Sequence, residues 1–526
     1  MSLHYKNLDQ TKAGKKVLKA VKSAKLRQLL TAERVRNYQV QGAAGWQFYY
    51  GARAVDDKIL ELLQNLSDEQ QLVRKYRELV NGEVMNTGEN RLVLHHLTRG
   101  VVDKPVRWSG KDLGAFYNDQ WQKIKDFSDK VHKGEIKSSK GKKFTTVVQI
   151  GIGGSDLGPR AMFLALENWV KKEKGSLLMD ARFVSNVDPD DASAVLSAVP
   201  LETTLFILVS KSGTTQETLA NENFVRETLA KVGLEPNAHM VTVTSETSPL
   251  AKSPRYLASF FIDDFIGGRY SSTSAVGTAI LALALGKDVV EGFLKGAHAA
   301  DLSALEPQIT QNPALLDALI GVWERNGLGY PTTAVLPYSQ ALSRFPAHLQ
   351  QLDMESNGKR VNRFGESLNY STGPIVFGEP GTNGQHSFYQ LLHQGTDPVP
   401  LQFIGFHDSQ RGDDVVSEGS TSQAKLNANL AAQIVAFAKG QKHEDSNKSF
   451  PGNRPSSLLV NKRLTPEALG ALLAHFENKV MFQGFVWNIN SFDQEGVQLG
   501  KILTKTVLAK GEMDPALQAY AEILGV

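Results

Sequence analysis

Two kinds of side-chain grouping in this chain could do chemistry: proton carriers and anion clamps. Glu355 lies in HLQQLDMESNGKR, residues 348–360, which reads as a helix stopped by Asn357 and Gly358. The carboxylate then sits in a last turn, where the helix dipole disfavours negative charge, a placement that suits a general base. The competing reading is a surface glutamate relieved by Lys359 and Arg360. His386, in GEPGTNGQHSFYQLLHQG, falls in the first turn of an expected helix, where an imidazole could accept or relay a proton. In FDQEGVQLGKILTK, the i, i+4, i+7 spacing of Gln494, Gln498 and Lys501 predicts one polar stripe along a helix. Arg269 follows two glycines in GGRYSSTS, which suits either close approach to an anion or a plain turn.

The anion clamps lie earlier in the chain. In LFILVSKSGTTQET, residues 205–218, an apolar run gives way at once to Ser210, Lys211, Ser212, Gly213, Thr214 and Thr215. Thr214 and Glu217 have capping-box spacing, which predicts a helix beginning near Gly213 or Thr214. A helix N-terminus supplies unpaired N–H groups, and the hydroxyls and lysine add donors and charge, an arrangement suited to a dianionic phosphate monoester. Plain capping with a solvated lysine is the alternative. IGIGGSDLGP carries Gly151, Gly153, Gly154 and Gly158, with Ser155 able to bond a ligand. A dinucleotide fingerprint starting at Gly151 would need glycine where Asp156 stands, and no Gly-Lys pair followed by Ser or Thr forms a P-loop. What remains is a ligand-approaching turn or a tight strand-to-helix turn. No metal-ligand cluster and no cofactor motif accompanies these groups, so neither is expected. Together they suit proton transfer beside a carbonyl in a phosphorylated sugar.

Elements must hold these groups in place. FTTVVQIGIGGSD, TTLFILVSKSGTT and HMVTVTSETS are short β-branched runs ending in small polar residues, each followed by helical patterning. A second series comprises PTTAVLPYSQ, TGPIVFGEPGTNG and PVPLQFIGFHDS. Strands alternating with helices predict an α/β chain of two doubly wound units with mainly parallel sheets. Ligands are expected beyond the carboxyl ends of the strands. The first 100 or so residues read mainly as helices, ERVRNYQVQGAAGWQFYYGAR among them, and residues 442–457 as a long surface loop. The expected division is an N-terminal helical segment (1–110), a phosphate-binding α/β unit (111–280), a large α/β unit (281–495) and a C-terminal helical arm (496–526).

Bulk properties narrow the function classes. The chain has 526 residues, 41% hydrophobic and 21% charged, with a net charge of +3. That charge argues against nucleic acid as the main partner but permits a local basic pocket. Cysteine is absent, which removes disulfides, thiolate metal sites and cysteine nucleophiles. The N-terminus lacks the apolar core of a signal peptide, and no run of about 18 apolar residues occurs, so no membrane span and a cytoplasmic protein are expected.

With GIGGSDLGP, SKSGTTQET, GGRYSS, QLDMESNGK, GTNGQHSFYQL and FDQEGVQLGK in this order, the chain resembles the glucose-6-phosphate isomerase (phosphoglucose isomerase) family from about residue 40 onward. The resemblance implies two SIS-type (sugar isomerase) domains, homodimers, and interconversion of glucose 6-phosphate and fructose 6-phosphate. It implies phosphate held by Ser210, Lys211, Ser212 and Thr215, with Gly213 and Thr214 in the same loop and Gly154 and Ser155 nearby. By the same resemblance, Glu355 carries the proton between carbons 1 and 2, and Gln351 lines the sugar site. His386, reaching across from the partner subunit, and Lys501 assist ring opening. Arg269 stabilises the enediolate, and Gln494 helps hold the substrate. Most relatives have Thr-Phe where this chain has Ser212-Gly213, so the loop is expected to be more mobile before substrate binds. Trp and Glu are often found at the positions of Glu495 and Gln498. The alternatives are a related isomerase acting on both glucose and mannose phosphates or on an amino-sugar phosphate, and a sugar-phosphate sensor. A sensor could dispense with Glu355, His386 and Lys501, and all three are present.

Overall fold

The computed structural model describes residues 3–19 and 25–526. The β-branched runs become strands wherever both of their faces are covered. A hairpin near the N-terminus comprises β1 (Gln39–Gln41) and β2 (Gln47–Tyr49). It is followed by β3 (Thr146–Ile150), β4 (Asp180–Val184), β5 (Thr204–Val209), β6 (Met240–Thr244) and β7 (Ser259–Phe261). These five pair in the order β4-β3-β5-β6-β7, all parallel. Every residue of β3, β5 and β6 is buried, as parallel strands sandwiched between helices require.

The second sheet is built from β8 (Thr332–Pro337), β9 (Ile375–Phe377), β10 (Leu401–Phe406) and β11 (Ser456–Asn461). Its order is β1-β2-β11-β10-β8-β9; β11, β10, β8 and β9 run parallel, whereas the hairpin joins antiparallel through β2. The chain is therefore α/β with two mainly parallel sheets, as expected. One apolar core spans both units, and two helices run through it. Ala275–Leu285 is buried at every position, and Pro466–Trp487 is buried except at Glu467. Among the described residues, no helix is long and apolar enough to cross a membrane.

Local readings differ from expectation at several points. ERVRNYQVQGAAGWQFYYGAR is not one helix: Ala32–Asn37 is helical, and the β1–β2 hairpin follows. Its buried residues Val40 and Phe48 fit alternation as well as helical spacing, and Ala44 and Gly45 turn the chain with positive φ. The expected surface loop at 442–457 gives way to β11 at Ser456, whose N–H donates to the Ala52 carbonyl at 3.0 Å.

Candidate active site

The chain leaves β3 for β4 on one side of the sheet, then returns to β5 on the other. The crevice at the carboxyl ends of β3 and β5 is thus the switch point where open α/β sheets take ligands. A cavity of about 490 Å³ opens there, and it extends to residues of the large unit and the C-terminal arm. Gly154, Ser155, Ser210, Lys211, Ser212, Thr215, Gln351, Glu355, Gln494 and Lys501 all line it. A more voluminous apolar cleft, about 630 Å³ along the large sheet beside Tyr49, Leu430 and Leu458, contains none of the residues singled out in the sequence.

The loop after β5 is shaped by its own hydroxyls. Ser210 Oγ accepts from the Gly213 N–H at 3.1 Å and donates to Thr215 Oγ1 at 3.2 Å. Ser212 Oγ accepts from the Thr214 N–H at 3.2 Å and from its hydroxyl at 3.0 Å. These bonds postpone the helix, which runs Gln216–Lys231 with Thr215 as its N-cap, so the expected start at Gly213 or Thr214 and the Thr214–Glu217 capping box are not formed. The Thr215 side chain makes no capping bond, so the helix presents an uncapped N-terminus beside the cavity. Gly213 and Thr214 do not line the cavity. Gly213 has φ +68°, and a Cβ there would lie 2.1 Å from Ser248 Oγ. Gly213 itself is buried against Ser248–Leu250, with no room for a larger side chain, while Ser212 and Thr214 on either side of it are exposed.

Lys211 is half-buried and donates to the Ile266 carbonyl at 3.2 Å, with Asp264 at 3.9 Å. Burial lowers its pKa from the ordinary lysine range, and Asp264 opposes that shift. Arg91, 3.6 Å from Asp264 and 3.3 Å from Glu89, adds a second cation to the same wall. Sequence reasoning missed Arg91, Glu89 and Asp264, because no spacing relates them to Lys211.

Glu355 comes from the opposite side. Its helix begins earlier than expected, at Phe345, and widens into a π-turn over Gln351–Glu355. Glu355 Oε2 stands 3.3 Å from Arg269 Nη1 and has no hydrogen-bond partner among the described residues. Arg269 lies just behind the cavity wall, 1% exposed, in the turn Gly268–Tyr270. Its Nε donates to Ser356 Oγ at 2.6 Å, and its Nη2 to the carbonyls of Ser491 and Asp493 at 2.7 and 2.9 Å. Gln494 Oε1 is 3.5 Å from Nη1. The turn is seated on the glycine-rich loop, where Gly154 faces the Gly268 backbone so closely that a Cβ would meet its carbonyl carbon at 2.1 Å.

Two residues are placed differently from expectation. Gln494 is not on a helix with Lys501. It precedes a short turn, Glu495–Val497, and the helix begins only at Gln498, so the two approach the cavity from separate segments. His386 is not in a first helical turn but caps the C-terminus of the short helix Gly381–Gln385, and it is exposed and does not line this cavity. Among the described residues, no cluster of three or more His, Asp or Glu side chains could hold a metal ion.

On the buried side of the π-turn, burial pushes the Asp353 carboxyl up to about 6, although Lys479 opposes the shift. Between about pH 4 and 6 the folded protein then keeps a proton that the unfolded chain has lost, so stability falls as pH rises through that window. Asp353→Asn removes this slope. Urea titrations at pH 4.5 and 8 are expected to show the variant gaining relative to the parent at the higher pH, by about 2 kcal/mol.

Similarity to known proteins agrees with this geometry. The phosphoglucose isomerase family model matches residues 49–521. The glucose-6-phosphate isomerase of Treponema denticola is 61% identical, over 99% of this chain and 100% of the relative. That of Borreliella afzelii is 47% identical over 99% of both chains. The crystal structure of a glucose-6-phosphate isomerase from Chlamydia trachomatis superimposes with a TM-score of 0.91 at 42% identity, covering 99% of both chains. By sequence match along nearly its whole length and by fold, the chain belongs to the phosphoglucose isomerase family.

Proposed function

We propose that the chain interconverts glucose 6-phosphate and fructose 6-phosphate by ring opening and proton transfer through an enediolate, in glycolysis and gluconeogenesis. One observation carries the reading: a carboxylate paired with a buried guanidinium shares a cavity with a hydroxyl-rich loop at a helix N-terminus. The loop Ser210–Thr215, with Gly154 and Ser155, takes the phosphate, and that remote binding energy orients the sugar. Glu355 removes the proton from carbon 2 of the open-chain aldose. The electron pair forms the bond between carbons 1 and 2, and charge moves onto the oxygen of carbon 1. Arg269 faces that charge, and a guanidinium remains protonated throughout. Glu355 then returns its proton to carbon 1, while the hydroxyl proton of carbon 2 passes to the oxygen of carbon 1, leaving the ketose. Gln351 and Gln494 bond the sugar hydroxyls.

Ring opening falls to Lys501 and to His386 of a second copy, so the working form is a homodimer. His386 is exposed and does not line the cavity of its own subunit. The C-terminal arm leaves Leu499, Ile502, Ile523 and Leu524 exposed, as a chain that docks on a partner would. We place the enzyme in the cytoplasm.

A coupled assay for fructose 6-phosphate formation from glucose 6-phosphate tests the activity; no turnover would refute it. Lys211→Ala is expected to raise KM roughly 10- to 100-fold, the worth of a hydrogen bond to a charged group, with kcat less affected. An unchanged KM would argue against phosphate at this loop. For the shared site, Glu355→Gln and His386→Ala chains are each expected to be inactive alone. Hybrid dimers made by mixing them regain activity, because one of their two sites has both residues intact. Mixtures as inactive as the parents would mean that His386 does not cross.

A further inference from the structure

Arg269 has five N–H donors in a rigid plane, and the structure shows which edge is anchored and which is left for substrate. Nη2 is held by the carbonyls of Ser491 and Asp493, and Nε by Ser356 Oγ at 2.6 Å. Nη1 points to the cavity residues Glu355 and Gln494. Ser356 is fully buried and directly follows Glu355 in the chain, so its hydroxyl ties the guanidinium to the backbone that carries the carboxylate. Behind it stands the Tyr270 hydroxyl, 3.0 Å from Ser356 Oγ. The Tyr270 ring is 1% exposed, stacked on His95 with centroids 4.7 Å apart and tilted against Phe492 at 5.8 Å. A serine oxygen that accepts from Nε keeps a lone pair and a proton for the tyrosine, so all three groups can be satisfied at once.

We propose that Ser356, supported by the Tyr270 hydroxyl, is a positioning residue that aims Arg269 Nη1 at the developing enediolate oxygen. The proposal rests on Arg269 serving that step. Two backbone carbonyls hold only one corner of the guanidinium. Without the bond at Nε the plane can pivot about that corner, and a buried N–H is left unpaired, so the group turns to find another acceptor. A donor displaced by a fraction of an ångström from a forming oxyanion loses most of its value, whereas binding of the distant phosphate is unaffected.

The test exploits the two stages of the reaction. Ring opening and closing interconverts the anomers of glucose 6-phosphate through His386 and Lys501, without Arg269, and NMR exchange measures it separately from isomerisation. Ser356→Ala is expected to lower kcat for isomerisation roughly 10- to 100-fold with KM little changed, while anomer exchange stays near the parent rate. Tyr270→Phe keeps the ring packing and is expected to shift the same ratio less. Added to Ser356→Ala it costs little more, because the tyrosine acts through the serine. Isomerisation at the parent rate in Ser356→Ala overturns the proposal, and so do isomerisation and anomer exchange falling together. Should Ser356→Ala fail to fold, an unaltered ratio in Tyr270→Phe overturns it. Arg269→Lys separates the two levels: normal isomerisation there would remove the role of Arg269 itself. Loss there with a fully active Ser356→Ala would remove only the role of Ser356.

Discussion

Glu355→Gln is expected to abolish isomerisation while leaving sugar-phosphate binding in place. The substitution keeps the shape and removes the only function assigned to the side chain, carriage of a proton between neighbouring carbons. General acid–base catalysis is worth typically about 10²–10⁴-fold, and the upper end applies where one group performs both transfers. The structure supports a selective effect. Glu355 is 21% exposed, its Oε2 has no hydrogen-bond partner among the described residues, and Arg269 is held by hydrogen bonds to Ser356, Ser491 and Asp493 besides its ion pair with this carboxylate. The loop proposed to take the phosphate follows β5, whereas Glu355 follows β8 of the other sheet. A competition assay with inorganic phosphate should give a similar affinity in the variant and the parent, whereas the coupled assay should lose about three to four orders of magnitude. Loss of phosphate affinity in step with activity would mean that the variant had disturbed the cavity as a whole.

Gly154→Ala should also be damaging, for a purely steric reason. The added Cβ would lie 2.1 and 2.2 Å from the carbonyl carbon and oxygen of Gly268, both backbone atoms without a rotamer to escape into. The glycine-rich loop and the turn Gly268–Tyr270 must separate, and Arg269 moves with that turn. Overpacking of this kind costs roughly 1–3 kcal/mol of stability, and misplacing a charge-stabilising group by about 1 Å costs on the order of 10²-fold in rate. Thermal unfolding and steady-state kinetics should show both losses. An active, stable Gly154→Ala would mean that the close approach of the two loops is not needed for catalysis.

The strand-end loops were readable because buried parallel strands leave an unmistakable trace, a β-branched run that stops abruptly at small polar residues. TLFILV followed by SKSGTT could hardly lie elsewhere than at the mouth of a sheet. Cap positions were less readable, since side chains compete for the same N–H groups. Ser210 and Ser212 take the donors of Gly213 and Thr214, so the helix starts beyond the apparent capping box. His386 was misplaced because Gly381–Gln385 coils into a short helix of its own ahead of it. Gln494 and Lys501 share helical spacing but not a helix, the intervening Glu495–Val497 turn being tighter. Contacts between distant segments left no trace in spacing. Arg91 meets Asp264, and the β1–β2 hairpin extends a sheet whose next strand begins at Ser456. Ser356 stood inside a motif already quoted, yet only the fold reveals that its hydroxyl holds Arg269.

The most direct test of the account is where deuterium enters the sugar. With glucose 6-phosphate in heavy water, the parent enzyme should place deuterium at carbon 2 of the recovered substrate, because the proton that Glu355 removes can exchange with solvent before it returns. Glu355→Gln should leave that carbon unlabelled while still interconverting the anomers, which shows that the sugar binds and its ring opens. Labelling of carbon 2 by Glu355→Gln at the parent rate would contradict the assignment of Glu355 as the base.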